Sequence, residues 1–350
     1  MQFSVFQAPV GTSQFIYIAK STTASGTTMV LMINQASYFT SSDGINWSAP
    51  QPLPSFLTNQ SWSMVVGRDG AASNEFAFIY STGNLAGNIP FAIFDGTSWG
   101  AQKLLLVPPI INQPQGDWRE LGGIVFNATG LHVSGINSKA AALTRWNNAL
   151  TPNAAGNYPF TQTATTISAC FSMFYSPAVN KYFMTCDINK CLHDTTASVS
   201  STWANVNAIP GSSAAKWMDM AYGNGVHVMV GSLSSSFYTS QPANSNFLVT
   251  SVNGLSWTKR TLPTSRIWIK VVFNPTTGRF YILSDNGPAG APVPQVMYSS
   301  ADGITWTAEA IPVTATLAVW SEMFMVNGKL VLFGSTSTTS TNVFNIAYSI

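Results

Sequence analysis

Two carboxylic acids held roughly 5 to 10 Å apart can hydrolyse a glycosidic bond, one as acid and the other as base or nucleophile. The chain offers Asp117, Asp219, Asp285 and Glu322 near one end of its repeating units. Nothing in their spacing brings any two together. The only arginines are Arg68, Arg119, Arg145, Arg260, Arg266 and Arg279. Arg279 follows a tight turn on the opposite face, and Arg260 falls in an outer strand. His132, His193 and His227 are the only histidines, and no two stand at metal-ligand spacing. His132 and His227 occupy a column filled elsewhere by Phe280 and Leu330, so they read as hydrogen-bonded core residues. No nucleophile elbow, phosphate-binding loop or HExxH pattern occurs. These residues point to a chain that is not an enzyme, with no cofactor and no metal.

Aromatic residues carry a stronger pattern. Trp62, Trp118, Trp217, Trp268 and Trp320 each open a β-prone run. An indole can stack on the apolar face of a sugar or pack between sheets. Trp217 and Trp268 are therefore ligand-binding candidates, with packing as the competing reading. A second column follows turns of one form: Ser41-Ser42-Asp43-Gly44-Ile45-Asn46-Trp47, Ser251-Val252-Asn253-Gly254-Leu255-Ser256-Trp257 and Ser300-Ala301-Asp302-Gly303-Ile304-Thr305-Trp306, with a worn copy at Asp95-Gly96-Thr97-Ser98-Trp99. Asp-Gly or Asn-Gly between β-prone runs is a strong hairpin signal, because both residues tolerate positive φ. Asp43, Asp95, Asn253 and Asp302 are expected to cap their own turns. Trp47, Trp99, Trp257 and Trp306 are expected to fold back and fill the space between units.

The elements that hold these columns repeat about every 50 residues. A strand opens on Trp, turns through Asn-Gly or Asn-Pro-Thr-Thr-Gly, returns apolar, then enters the Asp-Gly hairpin and ends near proline. Unit ends fall near Pro9, Pro54, Pro108, Pro159, Pro210, Pro263 and Pro312. Four strands per unit at this period are the signature of propeller blades. The fold class is all-β, a seven-bladed β-propeller of four-stranded antiparallel blades forming one domain over 1–350. After Pro312 only three strands remain. Residues 2–9, whose Phe3 to Pro9 resembles Trp306 to Pro312, are expected to complete the last blade, 313–350, and so remove an exposed sheet edge.

The Ser-x-Asp/Asn-Gly-x-x-Trp hairpin resembles the Asp-box, or BNR, repeat of sialidase-like and photosynthesis-assembly-like propellers. It departs from the sialidase form, which places a residue between Asp and Gly. With the Trp and Tyr-Gly-Asn-Gly runs, it looks most like propellers of bacteriophage virion proteins and bacterial surface proteins. That resemblance covers nearly the whole chain. It implies a virion-associated recognition or structural module, a tail, fibre or decoration protein. The implied partners are a host-surface glycan or other virion proteins, in an assembly that admits a homo-oligomer. A sialidase-like glycan-processing enzyme and a bacterial surface lectin are the alternatives.

Composition narrows the partners further. Of the 350 residues, 46% are hydrophobic and only 8% charged, with a net charge of +2, against about 25% charged in an ordinary soluble domain. No basic stripe exists to neutralise a phosphate backbone, so nucleic acid is excluded as the main partner. No apolar run reaches membrane-span length. The first residues lack the basic and apolar regions of a secretory signal. The connections between second and third strands are uneven, and they are where binding is expected. Phe237, Tyr238, Asp285 and Asn286 lie on them. Cys170, Cys186 and Cys191 give no disulfide framework and read as buried thiols, with one bridge open.

Overall fold

The computed structural model describes residues 1–13, 16–58, 62–81, 88–106, 118–127, 130–137, 140–147, 161–164, 170–186, 191–194, 203–206, 209–211, 215–233, 244–286, 293–312, 319–337 and 342–350. They fold as successive antiparallel meanders, with one 3-10 turn at Ser55–Leu57. Contacts divide the chain into two compact units. One holds Met1–Thr12 and Ile167–Ile350, the other Ser13–Thr166.

Strand β1 (Phe3–Ser13) begins the chain. The Ser13–Thr166 unit then has three meanders. They are β2 (Tyr17–Thr22), β3 (Thr28–Ile33), β4 (Ser37–Ser41) and β5 (Gln51–Pro52); β6 (Trp62–Arg68), β7 (Glu75–Ser81), β8 (Asn88–Phe94) and β9 (Lys103–Leu106); and β10 (Trp118–Asn127), β11 (Gly130–Asn137), β12 (Ala140–Asn147) and β13 (Thr161–Ala164). The second and third join into one eight-stranded sheet through a single parallel pair, Phe126 with Arg68. Leu31, Ile33, Leu53 and Leu57 of the first meander pack on Phe76, Phe78, Ala92 and Phe94 of the second.

The other unit continues with β14 (Cys170–Ser176), β15 (Lys181–Cys186), β16 (Cys191–Asp194) and β17 (Trp203–Asn205). Next come β18 (Ala215–Gly223), β19 (Val226–Leu233), β20 (Ser245–Ser251) and β21 (Thr258–Arg266), followed by β22 (Trp268–Asn274), β23 (Arg279–Ser284), β24 (Met297–Ser300) and β25 (Thr307–Glu309). The last group is β26 (Val319–Val326), β27 (Lys329–Ser337) and β28 (Asn342–Ser349), with β1 beside β28 in the order β1-β28-β27-β26. The N-terminal strand thus covers the edge that β28 would otherwise present, and Ile350 N–H donates to the Gln2 carbonyl at 3.1 Å. An unpaired edge is a template for aggregation, so this pairing has a physical purpose.

Consecutive sheets of this unit bury apolar faces against each other. Phe183 and Cys191 meet Trp217, Met220 and Met229. Val228, Val230 and Leu248 meet Trp268, Val271 and Phe280. Tyr281, Leu283 and Met297 meet Trp320, Met323 and Leu332. The tight turns lock the sheets at one end. Asn224 and Asn327 sit at φ of 47° and 48°, the left-handed values that a type I′ hairpin demands. Asn224 Nδ2 then donates across to the carbonyls of Gly278 and Ala301, at 2.7 and 3.0 Å. Asn274 Nδ2 repeats the clip to Gly328, at 2.9 Å.

Candidate functional site

The first strands of the four C-terminal sheets share a local irregularity. Each loses register within its first few residues, between Cys170 and Ser172, Trp217 and Asp219, Trp268 and Lys270, and Trp320 and Glu322. A bulge of this kind adds one residue and re-aims the next side chain. At three of the four, an indole stands beside the shift. Trp217, Trp268 and Trp320 are 1%, 0% and 1% exposed and fill the core between sheets. Gly231 stands opposite Trp217, and Gly334 opposite Trp320. A Cβ on Gly231 would come within 3.0 Å of the Trp217 backbone, and one on Gly334 within 2.8 Å of the Trp320 Cα.

Trp217 and Trp268, candidates for ligand stacking with packing as the competing reading, are packed in the core. No indole face is open, and Trp268 Nε1 is spent on the Ser245 carbonyl at 2.9 Å. Trp320 likewise donates to Pro312 at 3.1 Å. Burying the ring while satisfying its N–H is the usual solution for a core Trp.

Ser172, Asp219, Lys270 and Glu322, each from a different sheet, follow these bulges as two bonded pairs, with Lys270 attracting Asp219 electrostatically. Ser172 Oγ donates to Asp219 Oδ1 at 3.2 Å. The Met220 N–H donates to the same oxygen at 2.9 Å, and the Val271 N–H of the next sheet to Oδ2 at 3.1 Å. Lys270 Nζ bonds Glu322 Oε2 at 2.9 Å, with the two side chains 30% and 42% exposed. Protein crowds Asp219 and pushes its carboxyl upward, opposed by Lys270 and the two backbone N–H groups. Crowding pulls Lys270 down, but Glu322 and Asp219 outweigh it and hold the ammonium well above the usual lysine range.

These residues set limits on chemistry. A lysine held protonated cannot attack a carbonyl, since nucleophilic lysines need a lowered pKa. Both Asp219 oxygens already accept hydrogen bonds. Lys270 bonds Glu322 and attracts Asp219 electrostatically. What remains is alternating donors and acceptors, half open to solvent, able to bond a polar ligand. The reading of Asp219 and Glu322 as separate candidate acids missed this. A signal was available: Trp-x-Asp, Trp-x-Lys and Trp-x-Glu recur at 217–219, 268–270 and 320–322, with Trp118-Arg119-Glu120 as a fourth copy that also shifts register.

The other candidates fall elsewhere. Asp285 and Asn286 lie just past β23, half-buried, where the Asp285 N–H bonds the Ile267 carbonyl at 2.8 Å and Asp285 Oδ1 accepts the Asn286 N–H at 2.7 Å. Phe237, Tyr238 and Asp117 lie outside the described residues. His227 is buried, with Nε2 2.8 Å from Ser176 Oγ and Nδ1 3.1 Å from the Ser251 carbonyl. Burial lowers its pKa, and the Ser251 carbonyl offsets this in part. Cys186 and Cys191 are buried thiols, and Cys170 is the register partner of Cys186. Among the described residues no three His, Cys, Asp or Glu converge to hold a metal ion, and no helix is long and apolar enough to cross a membrane.

The Asp-Gly hairpins are built alike. Asp43 Oδ1 accepts from Ile45 N, Asn46 N and Ser41 Oγ at 2.8, 2.7 and 3.0 Å. Asp302 Oδ1 accepts from Ile304 N, Thr305 N and Ser300 Oγ at 2.7, 2.8 and 2.8 Å. Asn253 does the same with Leu255 N and Ser256 N, both at 2.9 Å, and Asp95 with Thr97 N and Ser98 N at 2.9 and 2.7 Å. Burial pushes the Asp43 and Asp302 carboxyls up, but these donors prevail and set both at about 2. Trp257 and Trp306 fold back, Nε1 bonding the Gly254 and Gly303 carbonyls at 3.0 and 3.2 Å. Trp47 and Trp99 keep the position, but their Nε1 atoms have no partner.

No protein-family model matches the chain, and no curated protein matches it. Solved structures do. A streptogramin B lyase aligns with a TM-score of 0.62 at 11% identity, over 99% of this chain and 97% of its own. A catalytically inactive virginiamycin B lyase from Staphylococcus aureus with quinupristin gives 0.61 at 11%, over all of both chains. YCF48 bound to a D1 peptide gives 0.59 at 13%, over 99% and 96%. Together with the all-β meanders, these similarities establish a β-propeller fold. At such identity they speak to fold alone.

Proposed function

We propose that the chain is a non-enzymatic recognition or structural module of a bacteriophage particle, a tail, fibre or decoration protein. It binds a host-surface glycan or a neighbouring virion protein through the connections between second and third strands. One observation carries this reading: the repeated chemical groups are consumed by architecture. Trp217, Trp268 and Trp320 are buried, the Asp and Asn of the hairpins cap their turns, and Ser172 bonds Asp219 as Lys270 bonds Glu322. Variable connections are left as the surface that can specify a partner, as on other rigid β scaffolds. The ring in this proposal has seven blades. Three meanders lie in residues 13–166 and four in the rest, and β1 supplies the outer strand of the last. Support for a particle surface comes from the sequence, whose polar loops carry few charges.

The test is a glycan array and a turnover assay on the same purified chain. Retained binding with no product released is the expected result. Product release that disappears on changing Asp285 or Asp117 would overturn the non-enzymatic reading in favour of a glycan-processing enzyme.

A further inference from the structure

The hairpin at Asn253 differs from its sisters in a way that bears on covalent chemistry. It carries Asn where Asp43 and Asp302 stand, and Gly follows. In an Asn-Gly pair the backbone nitrogen of Gly can attack the side-chain amide carbon. Bond formation puts negative charge on Oδ1, and donors aimed at that atom stabilise the transition state as an oxyanion hole does. Asn253 Oδ1 already accepts from Leu255 N, Ser256 N and Ser251 Oγ, at 2.9, 2.9 and 3.1 Å.

The nucleophile and the leaving group are also free here. Gly44 and Gly303 commit their N–H groups to Ser41 Oγ and Ser300 Oγ, at 2.8 and 2.9 Å. Among the described residues the Gly254 N–H has no acceptor, and neither does Asn253 Nδ2. Asn224, also followed by Gly, is the opposite case, because its Nδ2 is pinned by the Gly278 and Ala301 carbonyls. The Asn253 side chain stands in solvent.

We propose that Asn253-Gly254 is a self-modification site at which the folded hairpin promotes loss of the Asn253 amide. The Gly254 nitrogen bonds to Cγ, the Cγ–Nδ2 bond breaks, and ammonia leaves with the proton from Gly254. Water then opens the succinimide ring to give Asp or iso-Asp. The Asp product reproduces the hairpin already present at Asp43 and Asp302, so this branch changes charge without losing the cap. The iso-Asp branch adds a methylene to the backbone and breaks it.

The experiment is peptide mapping by mass spectrometry of the full chain held in mildly alkaline buffer, folded and in denaturant. In the folded chain the amide-to-acid mass change is expected at Asn253 roughly tenfold faster than at Asn224, the factor that about 1.4 kcal/mol of retained hydrogen bonding puts on a rate. The preference should collapse in denaturant. Ser251→Ala, which removes one donor to Oδ1, should slow the step, and Asn253→Asp should melt with the natural chain. Equal rates at Asn253 and Asn224, or an unchanged preference in denaturant, would overturn the proposal.

Discussion

Replacing Lys270 by Met keeps the stem and deletes the charge that bonds Glu322 and attracts Asp219. The lost bond is short, 2.9 Å, but its partners are 30% and 42% exposed, so solvent screening holds its own contribution to about 0.5–1 kcal/mol. The larger effect falls on Asp219, which stays crowded by protein and bound to two backbone N–H groups but loses its counter-charge. A fully buried carboxylate left alone costs about 3–5 kcal/mol; half-exposure reduces this, and we expect a total loss of about 1–2 kcal/mol. The pH dependence carries the diagnosis. A carboxyl raised in the folded state favours folding when protonated, so its contribution is best at low pH and declines as pH rises through its raised value. Removing Lys270 raises Asp219 further. The deficit of Lys270→Met must therefore shrink on acidification from neutral pH. Asp219→Asn, which orphans the Val271 N–H, should cost about 1–2 kcal/mol alone and less beside Lys270→Met, a coupling of about 1 kcal/mol. Urea unfolding followed by Trp fluorescence at several pH values measures all four chains. A deficit that grows on acidification, or strictly additive losses, would refute the argument.

Three further outcomes follow from the hydrogen bonds. Asp302→Ala should lose about 1–2 kcal/mol, because Ile304 and Thr305 N–H lose their acceptor, whereas Asp302→Asn should lose under about 0.5 kcal/mol, since Asn253 caps the same turn. Urea midpoints decide between the two, and equal losses would mean that charge rather than geometry holds the hairpin. Trp306→Phe should cost about 1 kcal/mol more than Trp47→Phe, read by the same unfolding curves, because only Trp306 has an indole bond to lose. His227 is lowered by burial, so its contribution to stability is complete above the usual histidine value of 6.5 and is lost as pH falls below it. His227→Phe, the type at the aligned Phe280, should flatten that part of the pH–stability profile, even though Ser176 loses its partner.

The hairpins were legible because each is decided within seven residues. Asp302, Gly303 and Trp306 specify acceptor, positive φ and buried ring whatever the rest of the chain does. The N-terminal strand was legible because Phe3 to Pro9 echoes a strand whose context was known. The row of Ser172, Asp219, Lys270 and Glu322 was not read, because its members stand about 50 residues apart and meet only once the sheets pack. The bulge that aims them is also invisible as a pattern of period two, since it is one residue out of step. For the opening tryptophans the repeat marked position but not exposure. An indole at a strand end suits a core or a binding face equally, and packing between sheets decided for the core at Trp217 and Trp268.

Charge at the first strands of this fold need not signal catalysis. A first strand is hydrogen-bonded to one neighbour only, so every second N–H along its free edge needs another acceptor. Asp219 supplies it twice, to Met220 in its own strand and to Val271 in the next sheet, and so fastens two sheets while satisfying both edges. A carboxylate in that position needs a counter-charge once neighbours crowd it, and Lys270 is that charge; Glu322 in turn answers Lys270. The row is thus what edge satisfaction produces in a chain that spends only 8% of its residues on charge. Changes to Asp285 or Asn286, beyond the end of β23, bear on no bond in this row. In the proposed reading, recognition diversifies on the connections while the first strands keep the sheets together, the separation that a rigid scaffold with variable loops requires.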